Sequence, residues 1–108
     1  MSKIVIIPSA DLTFEAPVRL TVHGKPEPVE VRMLFRHKSL EAATAWRSSE
    51  FPSLAAQFNE IIAGWSEEDF DKPYSVDALA EFFGNYGAAP GEVATAYAKA
   101  LMESRVKN

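Results

Sequence analysis

From Phe14 to Arg36 apolar and polar positions alternate. Val18, Leu20 and Val22 are interleaved with Arg19, Thr21 and His23. Val29, Val31, Met33 and Phe35 are interleaved with Glu30, Arg32, Leu34 and Arg36. A period of two puts one set of side chains on each face of an extended chain, so two strands with one buried and one wet face are predicted. The segment between them, Gly24-Lys25-Pro26-Glu27-Pro28, is rich in turn residues and too long for a two-residue hairpin turn. Pairing Val22 with Val29 sets Leu20 opposite Val31 and Val18 opposite Met33, so that apolar meets apolar. Ahead of this hairpin lies Lys3–Ile7, set off by Pro8-Ser9-Ala10-Asp11. Residues 1–10 read either as a third short strand or as a mobile arm.

After residue 38 the period lengthens. Ser39 is placed to cap a helix from Leu40 to about Arg47. Phe51-Pro52 interrupts it, because the residue before proline resists the helical region and proline suits a first turn. Leu54, Phe58, Ile61, Ile62 and Trp65 then fall at i, i+4, i+7, i+8 and i+11, the spacing of one helix face. Gly64 stands where such a helix commonly ends. Trp65 closes the apolar face, and its ring is expected to fold under the next helix and anchor the core. That helix starts at the cap Ser75, with Asp77 favourable to its dipole, a stripe of Val76, Leu79, Phe83 and Tyr86, and Gly84 and Gly87 at its end. Pro90 opens a last helix whose inner face is Val93, Ala94, Tyr97, Ala98, Leu101 and Met102. The fold class is α+β: an N-terminal antiparallel hairpin (1–38) packed on three to four C-terminal helices (39–108), in a single domain over 1–108.

Composition removes several function classes. The chain of 108 residues has no cysteine, hence no disulfide, thiolate nucleophile or thiolate metal site. The apolar run Ile4–Ile7 is stopped by Pro8 and is too short for a signal segment or a membrane span. The net charge of −4 is unevenly placed: seven Lys/Arg face five acids in residues 1–49, and four face ten in 50–108, so the halves carry +2 and −6.

The ordered set Met1-Ser2-Lys3-Ile4-Val5, Leu34-Phe35-Arg36-His37-Lys38, Ala63-Gly64-Trp65, Pro73-Tyr74-Ser75 and the tyrosines Tyr86 and Tyr97 resembles the small tail assembly chaperones of tailed phages and prophages. The likeness covers most of the chain. Two places differ: Gly87 stands where such proteins often carry proline, and Ser48-Ser49-Glu50-Phe51-Pro52 replaces an acidic linker. The resemblance implies a cytoplasmic protein of the bacterial host that binds and shields the tape-measure protein while a tail is built and is absent from the mature virion. Two alternatives stand beside it: a small structural tail or connector protein of the virion, and a hairpin-based nucleic-acid-binding protein.

Catalytic and ligand chemistry finds little support. His23 and His37 are the only imidazoles, and the hairpin puts them at opposite ends. Glu67-Glu68-Asp69-Phe70-Asp71 fails the calcium-loop template, with Tyr74 where glycine is needed and Ala80 where a carboxylate is needed. The serines sit at helix starts and turns, and no nucleophile elbow or glycine-rich phosphate loop occurs. Arg19, Arg32 and Arg36 could meet phosphate from the wet hairpin face, but Glu30 interrupts the row and the chain is acidic. No enzyme activity, cofactor, metal or nucleic-acid partner is therefore expected. The aromatic residues remain. Phe58, Trp65, Phe83 and Tyr97 read as core. Phe82 lies about 100° from Phe83 on its helix, and Phe51 lies at a helix break, so both are candidate partner contacts; for Phe82 the alternative is a second core row under the hairpin or the last helix. Ala96 and Ala100 would let a partner helix approach closely, and self-association into a homo-oligomer is left open.

Overall fold

The computed structural model describes residues 3–9 and 11–103. Strands β1 (Thr13–Leu20) and β2 (Val29–Arg36) form the antiparallel hairpin, and Ala16, Val18 and Leu20 share its buried face with Val31, Met33 and Phe35. The register differs from the expected one by two residues: Leu20 pairs with Val29, Val18 with Val31 and Ala16 with Met33. A shift of two leaves every side chain on its own face, which is why the pattern alone could not fix it. The connection is correspondingly longer, with Gly24 at φ +90°, a left-handed conformation that glycine adopts without cost.

The third strand is not where the sequence offered one. Lys3–Ile7 forms no strand, while Ile62–Trp65 is a strand, β3, antiparallel to β2, giving the order β1-β2-β3. Met1, Ser2 and Ala10 lie outside the described residues, so the choice between strand and arm is answered over 3–9 alone. There Ile4, Val5, Ile6 and Ile7 are 87, 71, 88 and 85% exposed.

Among the described residues four helices complete the fold: α1 (Leu40–Ser48), α2 (Leu54–Asn59), α3 (Val76–Asn85) and α4 (Ala89–Glu103). Three begin on serine caps. Ser39 Oγ accepts the amide of Ala42 at 3.1 Å, and Ser53 and Ser75 accept those of Ala56 and Ala78 at 3.0 Å. Pro52 precedes its cap rather than entering the first turn.

The helix expected over Leu54–Trp65 stops at Asn59. Leu54 is 46% exposed, so it does not belong to the stripe. From Ile61 onward the backbone is claimed by β2: Arg36 donates its N–H to Ile61 O at 2.8 Å, and Ser66 donates to Arg32 O at 3.0 Å. The β3 register skips Ala63, since Gly64 faces Leu34 and Ile62 faces Phe35. This bulge puts Ile62 and Trp65 on one face, although they lie three positions apart. Gly64 is thus a strand residue, not a helix terminator.

Other interior expectations change in detail. Leu79 and Phe83 are buried in α3 together with Ala78, whereas Val76 and Tyr86 are exposed, and Gly84 lies inside the helix. In α4, Val93 and Tyr97 are buried and Met102 is exposed.

Tyr97 ties the layers together. Its ring packs against Phe35 and Phe14 of the sheet and Trp46 of α1, and its hydroxyl donates to Arg36 O at 2.7 Å. Trp46 meets Phe58 edge-on, Phe58 meets Phe83, and the Trp46 indole donates to Gln57 O at 2.7 Å. Gln57 O, which also accepts the Glu60 N–H at 3.2 Å, thus takes a second bond at the end of α2.

Candidate partner-binding surfaces

Among the described residues, grooves flank the core on two sides. The first opens between the loop end of the sheet and α3, with a volume of about 620 Å³. Leu20, Val29 and Val31 form its floor, and Trp65, Phe82 and Tyr86 form its walls. The turn after β3 shapes it. Phe70 lies flat on Trp65 at 3.9 Å between ring centroids, and the Trp65 indole donates to Lys72 O at 2.8 Å. Trp65 therefore meets α3 through Phe82, edge-on at 6.0 Å, but it remains partly exposed as the wall of a groove. The buried tryptophan is Trp46, at 6% exposure.

Phe82 is half-buried, touching Phe70 at 5.5 Å and Tyr86 at 5.3 Å between centroids. It borders the core without joining the Leu79 and Phe83 row. The groove rim is acidic, with Asp69, Asp71 and Glu81 around Lys72, the one cation among its described residues. Lys72 Nζ lies 2.6 Å from Glu81, and this hydrogen bond, with the carboxylate's charge, raises the ammonium pKa above its usual value. Asp69 turns back to the sheet, where its carboxylate accepts the Arg32 N–H at 2.9 Å and faces the guanidinium, which also pairs with Glu68 at 3.3 Å. Arg32 is thus engaged by the acidic turn, and Arg19 stands across from Glu30 in the strand register.

The second groove, about 740 Å³, runs between β1 and α4. Ala16 and Pro17 line one side, and Gly91, Thr95, Ala96 and Ala100 line the other. Two residues selected from sequence, Ala96 and Ala100, therefore share one groove, while Phe82 belongs to the other. Phe51 is half-buried at the joint of α1 and α2, packed on the core. Charges of both signs border the second groove: Arg19 and Lys99 with Glu30, Glu92 and Glu103. Glu92 has a structural task as well. Its carboxylate accepts both the Thr21 amide, at 3.0 Å, and the Thr21 hydroxyl, at 2.6 Å, fastening the hairpin loop to the first turn of α4. Nothing in the spacing of Glu92 signalled this contact across 71 residues. Pro17 did carry a readable signal, because proline inside a strand pattern marks an edge strand, and β1 is one.

His23 lies in the hairpin loop, and His37 follows β2 at the opposite end. Among the described residues no group of three or more His, Cys, Asp or Glu is placed to hold a metal ion. No described helix is long and apolar enough to cross a membrane.

A family model described as phage tail assembly chaperone matches residues 1–108, the whole chain. Comparison with curated proteins and with solved structures gives no match. The chain belongs to the phage tail assembly chaperone family.

Proposed function

We propose that this phage tail assembly chaperone binds the tape-measure protein in the host cytoplasm, shields its apolar helical segments while the tail is built, and leaves before the particle is complete. The observation that carries the reading is the family match along the full chain. The groove between β1 and α4 supports it. Its α4 wall is built from Gly91, Ala96 and Ala100, side chains short enough for another helix to approach closely. The two-signed rim suits the polar flanks of an amphipathic segment. Contacts are assigned first to Ala96 and Ala100, with the half-buried Phe51 and Phe82 as further contact positions. The role is that of a binder, with no chemical step.

Co-expression with the tape-measure reading frame tests the proposal. The tape-measure protein should become soluble and co-purify with the chaperone, and quantitative mass spectrometry of purified particles should find the chaperone missing. Stoichiometric presence in finished particles would make it a structural tail or connector subunit instead.

A further inference from the structure

Ile4, Val5, Ile6 and Ile7 form the most exposed apolar run among the described residues, at 71–88%. Four consecutive β-branched residues in water have high strand propensity and no partner, the condition of a segment that adds to a sheet edge. The sheet offers such an edge. β2 is paired along its full length by β1, but by β3 only over Met33–Phe35. Beyond that, Arg32 is closed off by Ser66 and Asp69. Two residues further on, Glu30 directs its backbone N–H and C=O the same way, by the period of a strand, and no described strand lies there. This open end of β2 borders the aromatic groove.

We propose that the arm Lys3–Ile7 of one copy adds to the open end of β2 in a second copy and sets alternate side chains into that copy's aromatic groove, beside Trp65 and Phe82. The reach of the arm excludes the same arrangement within one copy. Ser9 and Leu12 are held in a turn at 3.1 Å, and Leu12 is fastened to His37 at the far end of the sheet. From Ser9 the chain extends at most about 18 Å to Ile4 and about 7 Å to Ile7. Leu20 and Val29 on the groove floor lie about 23 Å along the strands from Thr13. Charge favours the pairing, because Lys3 heads the arm and Asp71 and Glu81 stand on the rim. Exchange of this kind either closes a pair or continues head to tail. It goes beyond tape-measure binding and does not depend on it.

Light scattering on the full chain over a concentration series tests the inference. The wild type should associate. The double variant Ile4→Asp/Ile6→Asp should associate roughly tenfold or more weakly at an unchanged melting temperature, since neither residue is packed. Position is tested by cross-linking, which the absence of native cysteine makes clean. Ile6→Cys protein, whose new thiol shares the groove-facing side with Ile4, mixed with Tyr86→Cys protein should give a mixed disulfide dimer well above either homodimer. A wild type that stays monomeric throughout, association untouched by the arm variant, or no mixed dimer would each overturn it. Loss of tape-measure capture by the arm variant, with a monomeric wild type, would assign the arm to that partner instead.

Discussion

Trp46 is almost fully covered and its indole N–H is bonded to Gln57, whereas Trp65 is partly exposed and held by a stack and one bond to Lys72. The two should separate in a denaturant melt. Trp46→Ala should cost ~3–5 kcal/mol, the range for a buried large aromatic. Trp65→Ala should cost about half of that, because part of its ring already meets water. Urea midpoints at constant slope give both values, and equal losses would mean that Trp65 is as buried as the sequence pattern suggested. Two phenols give a second handle. Burial pushes Tyr97 and Tyr74 up to about 12 from 10, and their hydroxyls donate to Arg36 O and to Asn59 Oδ1. A raised phenol pKa favours the protonated folded form. Its contribution is whole below pH ~10 and is lost as pH climbs toward 12. The melting temperature should therefore fall across that window, and less steeply in Tyr97→Phe. An identical slope in that variant would remove Tyr97 from the account.

At the scale of elements, the starts were legible and one boundary was not. Ser39, Ser53 and Ser75 cap α1, α2 and α3 because a serine oxygen can take an orphan amide, a local rule that needs no tertiary context. Ser75→Ala should accordingly lower stability by about 1 kcal/mol, measured by thermal melt. The segment Leu54–Trp65 carried a helical spacing and yet splits into α2 and β3. Its second half, Ile61-Ile62-Ala63-Gly64-Trp65, is poor in helix formers, and a sheet edge competes for its backbone. Tertiary pairing outweighed periodicity, which a local reading cannot weigh. Gly64 decides between the two descriptions. In β3 its φ is not positive, and a Cβ would meet nothing within 4 Å, next to the partly exposed Leu34 across the strand. Gly64→Val should be neutral or stabilising by up to ~1 kcal/mol. A left-handed helix terminator would instead lose more than that.

On the scale of the whole molecule, the α+β layout was readable because one alternating stretch precedes a helical one. The register escaped because a two-residue slip keeps each side chain on its face. The surfaces were read in fragments. Phe82 appeared as an off-stripe aromatic and Ala96 with Ala100 as small residues on one helix. The partners that make them groove walls, Trp65 and Phe70 on one side and Ala16 and Pro17 on the other, come from distant segments. The uneven charge acquires a location as well: the acidic turn of residues 67–71 holds Arg32 and borders the aromatic groove.

The proposed function places an apolar helical segment of the tape-measure protein in the groove between β1 and α4. Its most direct measurement is the fraction of co-expressed tape-measure protein kept soluble by wild type and by Ala96→Arg, with the melting temperature of each chaperone recorded alongside. Ala96→Arg should fill the groove with a long charged side chain, fold with nearly the wild-type melting temperature, and lose most of the solubilising effect. Full retention of soluble, co-purifying tape-measure protein by a properly folded Ala96→Arg would contradict it.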